Sequence, residues 1–143
     1  MNHELLISNL MSNPKAVALD ETELTQLAGS SVTYTNELGS TATFTFNTNY
    51  TVTGTYTSAV SGGGASVSGP ITGWYNGYVI SFSVLWPSTP PSITSWVGAY
   101  IRNAQGNYDI DTMWLLVSQT QNPGDPSTFW SQVNTGSDLF TPS

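Results

Sequence analysis

The sequence predicts an all-β fold, an eight-stranded antiparallel up-and-down barrel that follows a short N-terminal extension. The 143 residues include 19 Ser, 20 Thr and 17 aromatic residues, a composition that suits strands. From about residue 31 onwards, Thr, Val, Tyr and Trp alternate with polar residues. Turn-forming residues separate these stretches at short intervals, so consecutive strands are expected to pair as hairpins.

The first 30 residues differ from the rest of the chain. They contain no aromatic residue, yet they hold the single His and four of the nine acidic residues. Apolar residues such as Leu6 and Leu10 recur there at helical spacing. We therefore predict an N-terminal segment over residues 1–30, helical or disordered, and a β domain over residues 31–143.

The end of this segment, Leu19–Ser30, resembles a double-glycine-type leader, which an exporter with its own peptidase removes. An acidic amphipathic helix offers the peptidase a groove-binding face, and Gly29-Ser30 offers an unhindered peptide bond. The basic region and apolar core of a Sec-type signal peptide are missing. The sequence predicts a secreted protein that is cleaved near Ser30, and the alternative is an acidic N-terminal segment without processing.

Eight strands are predicted in the β domain. Asn76-Gly77 fits a two-residue type I′ hairpin, and the prolines of Pro87–Pro91 do not fit within a central strand. A β-sandwich would give nearly the same local pattern. The predicted strands are Val32–Thr35, Thr41–Phe46, Thr51–Thr57, Val67–Tyr75, Tyr78–Trp86, Thr94–Arg102, Asp109–Val117 and Ser131–Asp138.

The composition excludes several classes of function. Without Cys there is no thiol nucleophile or Cys-ligated metal, and one His cannot form a multi-His metal site or a His-based triad within the chain. Two basic residues are too few to neutralise a nucleic-acid backbone. No stretch reaches the roughly 18 apolar residues of a membrane span. The sequence predicts no catalysis, no metal, no cofactor, and no nucleic-acid or membrane partner.

Asp109 and Asp111 lie two residues apart and therefore on one face of a predicted strand. Paired carboxylates are the catalytic groups of glycosidases. Because two acids on one strand of a Thr-rich protein are more often exposed, we interpret them instead as a solvated edge.

A series of motifs interleaves four Trp with Asn, Ser, Tyr, Thr and Asp along the β domain. In order they are Tyr34–Ser40, Gly54–Val60, Ser83–Trp86, Thr94–Tyr100, Thr112–Leu116 and Trp130–Phe140. Together they resemble the avidin and streptavidin family of biotin-binding proteins over about residues 31–141. The resemblance implies an eight-stranded barrel that binds biotin in its mouth with high affinity.

The same resemblance implies polar contacts to the urea group of the ligand. Asn36, Ser40 and Tyr56 match three donors to the urea oxygen, which suits an oxygen that accepts several hydrogen bonds. Ser58 and Asp138 match acceptors for the two urea N–H groups.

Further matches surround the ligand's ring and tail. Thr94 matches the hydroxyl that meets the ring sulfur, and Ser92 a hydroxyl near the carboxylate. Trp86, Trp96 and Trp114 match the aromatic walls, since rigid indoles bury a large area at low entropic cost.

Trp130 matches a Trp that tetrameric members of the family receive from a neighbouring subunit. It implies a homo-tetramer with a shared site, and the alternative is that Trp130 covers its own barrel. The loop Ser61–Gly64 stands where the family has a loop that contacts the ligand carboxylate. A triple-Gly loop is costly to order, so the sequence predicts weaker closure and faster dissociation than in the tightest binders.

Two other functions fit a β protein of this composition. One is a lipocalin-like carrier of another small apolar ligand, and the other is a carbohydrate-binding protein with exposed Trp and Tyr platforms. A lipid carrier needs no convergent polar set, and a lectin would expose its Trp side chains in a row. The polar set therefore distinguishes the three hypotheses.

Overall fold

The computed structural model describes residues 2–12, 29–59, 65–119, 124–125 and 132–143. Within them the chain forms one helix and eight strands. These elements are α1 (His3–Ser12), β1 (Ser31–Asn36), β2 (Thr41–Phe46), β3 (Thr51–Ser58), β4 (Val67–Asn76), β5 (Val79–Trp86), β6 (Ser92–Arg102), β7 (Tyr108–Ser118) and β8 (Val133–Pro142).

The eight strands form a closed barrel in which each strand pairs with the next and β8 pairs with β1. Every pairing is antiparallel. The predicted fold class is confirmed, and closure of the sheet on itself excludes the β-sandwich that the local pattern left open.

The strand predictions differ from the structure mainly at β8, which continues to Pro142 instead of ending at Asp138. The reason is long-range pairing, because Phe140 lies opposite Ile110 on β7 and opposite Asn36 on β1.

Several predictions concern residues outside the described part of the chain. They are residues 13–28 of the leader-like segment, the Ser61–Gly64 loop, Trp130 and the predicted strand start at Ser131. The leader, its cleavage near Ser30, the loop's effect on closure and the shared Trp130 stay predictions.

The helical spacing near the N-terminus does correspond to a helix, α1. Its apolar side chains, including Leu6 and Leu10, are exposed. No helix in the described part of the chain is long and apolar enough to cross a membrane.

The period-two pattern fills the barrel interior with aromatic rings. On β2, Ala42, Phe44 and Phe46 are buried, while the Thr residues between them lie on the outer surface. The Phe44 ring packs edge-on against Phe82 at 5.0 Å, and Phe82 stacks on Trp96 at 4.9 Å. This packing fills the middle of the barrel and leaves space at the end where β1 and β2 are joined.

The outer surface of the barrel has two different walls. On β2 and β3 the outward residues are largely Thr. On β5–β7 they are largely apolar, and Val97 and Met113 are 63% and 68% exposed. The apolar wall faces solvent in the single chain.

The interpretation of Asp109 as a solvated edge residue is wrong. Its side chain is only 8% exposed, and its Oδ1 accepts a hydrogen bond of 3.0 Å from Nδ2 of Asn103. The Asn103–Asn107 turn brings this amide onto the carboxylate, a contact that the strand pattern does not indicate. Asp111 is exposed, as expected.

Gly54→Ala tests how closely β2 and β3 approach each other. Gly54 has a φ of 154°, and a Cβ there would overlap the carbonyl oxygen of Thr43. We expect the substitution to lower the free energy of unfolding by about 3 kcal/mol or more, since it combines backbone strain with a steric clash.

Gly106→Ala is the matched control. Gly106 also has a positive φ, of 83°, but a Cβ there would lie in open space. It should lose only about 1–2 kcal/mol. Urea unfolding measures both values, and equal losses would contradict the close approach at Gly54.

Candidate functional site

A cavity of about 180 Å³ opens at the end of the barrel that carries the β1–β2 turn. It lies above the packed aromatic interior, where β3, β5 and β7 end. Its lining residues are Asn36, Leu38, Ser40, Tyr56, Ser58, Trp86, Thr94, Trp96, Trp114, Leu116 and Asp138. Nine of the eleven residues predicted from the sequence are therefore together in one cavity.

The β1–β2 turn orients the amide of Asn36. Its Oδ1 accepts hydrogen bonds from the backbone N–H of Leu38 at 3.1 Å and of Ser40 at 2.9 Å. This is the side-chain-to-backbone pattern that makes Asn favourable in turns. With its oxygen occupied, the amide presents its Nδ2 donor, which lies 3.3 Å from the hydroxyl of Tyr56.

Two hydroxyls complete a set of donors beside this amide. Oγ of Ser40 accepts a hydrogen bond of 3.0 Å from the N–H of Ala59, which leaves the hydroxyl hydrogen of Ser40 for donation. Burial raises the pKa of Tyr56 to about 12, against the opposing effect of a hydrogen bond with Ser40. The phenol is therefore neutral at physiological pH and able to donate.

The buried carboxyl of Asp138 supplies the acceptor. It is 8% exposed, and its Oδ2 accepts a hydrogen bond of 2.9 Å from Nε1 of Trp96. Burial raises the pKa of Asp138 above its usual value, and the nearby Glu37 adds to this rise. Hydrogen bonds from Trp96, Asn36 and Trp114 act in the opposite direction.

Aromatic side chains fix the walls of the cavity. The Tyr56 ring stacks on Trp96 at 4.9 Å and meets Trp86 edge-on at 5.6 Å. Nε1 of Trp86 donates to Oγ1 of Thr94 at 2.8 Å. Because that oxygen already accepts a bond, the hydroxyl of Thr94 is set to donate.

The third wall, Trp114, depends on a glycine of the neighbouring strand. Trp114 on β7 lies opposite Gly136 on β8. A Cβ at Gly136 would overlap the indole ring, so the ring lies directly against the backbone of β8.

Ser92 is not among the residues that line the cavity. Its Oγ donates to the carbonyl of Pro90 at 3.2 Å and lies 3.0 Å from Oγ of Ser118. It pairs with Trp86 across β5 and β6, which places it at the strand ends near the cavity mouth.

Leu38 and Leu116 line the cavity but were not among the predicted site residues. Leu116 shares the inward face of β7 with Thr112 and Trp114, so the alternation could have indicated it. Leu38 is 66% exposed and lies inside the turn between Asn36 and Ser40. An exposed Leu in a turn gives no signal of its own.

A larger groove of about 540 Å³ lies on the outer wall between β4, β5 and β6. Tyr50, Trp74, Val79 and Val97 line it together with Ser81 and others. It is mainly apolar and contains none of the predicted site residues. The polar groups that could orient a ligand lie in the smaller cavity.

A family model described as "Avidin family" matches residues 24–143 of the chain. The chain belongs to the avidin family. This result agrees with the closed barrel and with the grouping of nine predicted residues in its mouth.

Solved structures of other avidin-family proteins show the same architecture. The chain is 32% identical to apo shwanavidin, covering 82% of this chain and 100% of that chain with a TM-score of 0.65. The chain is 30% identical to rhizavidin in its biotin complex, covering 82% of this chain and 95% of that chain with a TM-score of 0.67. The chain is 31% identical to short afifavidin in its biotin complex, covering 79% of this chain and 88% of that chain with a TM-score of 0.64. No curated protein matches the chain.

Asp138→Asn is expected to raise the free energy of unfolding of the ligand-free protein at neutral pH. The pKa of Asp138 is raised above 3.8, so the folded state binds this proton more tightly than the unfolded state does. Wild-type stability therefore falls as pH rises from 3.8 through the raised pKa, and the neutral amide avoids this loss.

Urea unfolding over a pH series measures the difference. The advantage of Asp138→Asn should be present above the raised pKa and should shrink as pH falls towards 3.8. Asp111→Asn on the exposed outer surface of β7 is the matched control. An advantage that stays constant or grows towards acid pH would mean that folding does not raise the pKa of Asp138.

Proposed function

We propose that this avidin-family protein binds biotin in the mouth of its barrel, without a cofactor and without catalysis. The supporting observation is the convergence of three donors, Asn36, Ser40 and Tyr56, and a buried carboxyl, Asp138, on one cavity. The cyclic urea of biotin offers one carbonyl acceptor and two N–H donors, which complement that set. The rhizavidin and short afifavidin structures, both complexes with biotin, support the choice of ligand.

The urea would be polarised from both sides. Three hydrogen bonds to its oxygen favour negative charge there, and an ionised Asp138 at one N–H favours positive charge at the nitrogen. Ser58, at the end of β3, is the proposed acceptor for the second N–H. A preorganised set of this kind binds without reorienting its dipoles, as in sites that stabilise an oxyanion.

The rest of the ligand would contact the walls and the mouth. Trp86, Trp96 and Trp114 enclose the bicyclic ring, and the hydroxyl of Thr94 donates to the ring sulfur. Ser92 would meet the tail carboxylate at the mouth, after exchanging its hydrogen bond with Pro90 for one with the ligand.

The geometry favours this proposal over the two alternatives. A carrier of apolar ligands gains nothing from a buried carboxyl beside a buried amide, because each costs free energy unless it is hydrogen-bonded. A lectin platform needs Trp faces turned to solvent, whereas Trp96 is buried and stacked between Tyr56 and Phe82.

Calorimetric titration with biotin tests the proposal. Tyr56→Phe and Asp138→Ala should each weaken binding by about 1–3 kcal/mol, because each removes one partner of a buried hydrogen bond. Tyr108→Phe is the matched control, since this Tyr lies at the opposite end of the barrel beside Tyr78. The absence of both heat and a thermal shift would reject biotin, since ligand at 1,000 times its Kd stabilises by about 4.1 kcal/mol.

We also propose a homo-tetramer in which Trp130 completes a neighbour's site. The apolar wall of β5–β7 supports self-association, because contiguous exposed apolar patches on soluble proteins mark interaction surfaces. Closed symmetry would place this wall against the same wall of a second copy. The Thr-rich wall of β2 and β3 has no such character.

Val97→Glu tests the assembly through the mass measured by light scattering. A charge buried between two copies is costly, so the variant should dissociate into smaller species. Thr43→Glu on the opposite wall is the control and should keep the wild-type mass. A wild-type protein that is monomeric at micromolar concentration would contradict self-association.

A further inference from the structure

The barrel closes along a short seam between β1 and β8. These strands pair at Tyr34–Pro142, Thr35–Thr141 and Asn36–Phe140, the shortest ladder between any two described strands. By contrast, β6 and β7 pair along their whole length. The seam is therefore the place where the barrel has the fewest main-chain hydrogen bonds to resist opening.

The seam ends inside the candidate site. Asn36, the last β1 residue of the ladder, is one of the three donors, and Ser40 follows it in the turn. Asp138, the acceptor, lies two residues before Phe140, which is the β8 partner of Asn36. Any ligand that contacts both sets therefore bridges the seam.

Beyond the last main-chain pair of the seam, the side chain of Glu37 bonds to β8. After Asn36 the chain turns away, so β1 offers no further carbonyl to the N–H of Leu139. Oε2 of Glu37 takes that hydrogen bond instead, at 2.9 Å. The carboxylate thus holds β8 at the residue next to Asp138.

We infer that Glu37 is a positioning residue that latches the β1–β2 turn to β8 and so fixes the spacing between the urea donors and Asp138. The part that concerns the ligand rests on the proposed biotin function. Because a bound ligand contacts both sets at once, loss of the latch should act mainly on dissociation. Preorganisation of this kind appears in the dissociation rate more than in the association rate.

Glu37 has a second effect that can be separated from the first. Its negative charge opposes ionisation of Asp138. The other groups that act on this carboxyl are neutral: Asn36, Trp96 and Trp114 donate to it. Glu37→Gln keeps an oxygen for the N–H of Leu139 but removes the charge, and Glu37→Ala removes both.

Amide hydrogen exchange of the ligand-free protein tests the latch without biotin. The N–H of Leu139 should exchange about tenfold faster or more in Glu37→Ala, since losing one hydrogen bond of about 1.4 kcal/mol changes the opening equilibrium tenfold. In Glu37→Gln it should stay close to wild type. The N–H groups within β6 and β7 are the internal control. Equal exchange of Leu139 in all three proteins would overturn the latch.

Biotin kinetics test its role in the site. Glu37→Ala should raise the dissociation rate about tenfold and leave the association rate within about twofold. Glu37→Gln should restore slow dissociation, and it should keep binding to a lower pH because Asp138 then ionises more easily. An unchanged dissociation rate in Glu37→Ala would overturn the role in binding. If wild type shows no binding, the proposed function fails, and the exchange of Leu139 still decides the latch.

Discussion

The hydrogen bond between the Trp96 indole and the buried carboxyl of Asp138 is the interaction on which the candidate site depends. A carboxylate in such a place is costly unless donors surround it, and here the donors are neutral groups that belong to the walls themselves. The 2.9 Å bond therefore fixes an aromatic wall and an acceptor in one step. Burial outweighs these donors and raises the pKa of Asp138, and a ligand N–H would add a further donor to the carboxylate.

The scaffold separates this polar site from the packed core along the barrel axis. Phe44 and Phe82 pack against each other and fill the middle of the barrel. The stacked rings of Tyr56 and Trp96 form the boundary between this core and the site. The polar groups of the site therefore lie apart from the packed aromatic core. On the outer surface, β2 and β3 carry mainly Thr, and β5–β7 carry mainly apolar residues. The apolar wall is the one proposed to contact a second copy.

Local pattern predicted the strands well, because period-two alternation and turn residues are properties of neighbours in sequence. Local pattern does not predict closure of the barrel, because β1 and β8 lie far apart in the sequence and neither strand's residues identify its partner. For the same reason the end of β8 was placed too early, and the burial of Asp109 under the Asn103 side chain could not be seen. The site was predicted from ordered motifs and not from composition, because any single Trp or Ser in a β protein is more often structural. Motif order could not show that Ser92 turns its hydroxyl to Pro90 and Ser118.

A crystal structure of the chain with biotin would show whether the donors and Asp138 in the barrel mouth bind the urea group. We expect the urea oxygen within about 2.7–3.2 Å of Asn36, Ser40 and Tyr56, and one urea nitrogen at the same distance from Asp138. The bicyclic ring would lie between Trp86, Trp96 and Trp114. Biotin in the outer groove beside Trp74 and Val97, or in the mouth with its urea turned to solvent, would contradict this binding mode.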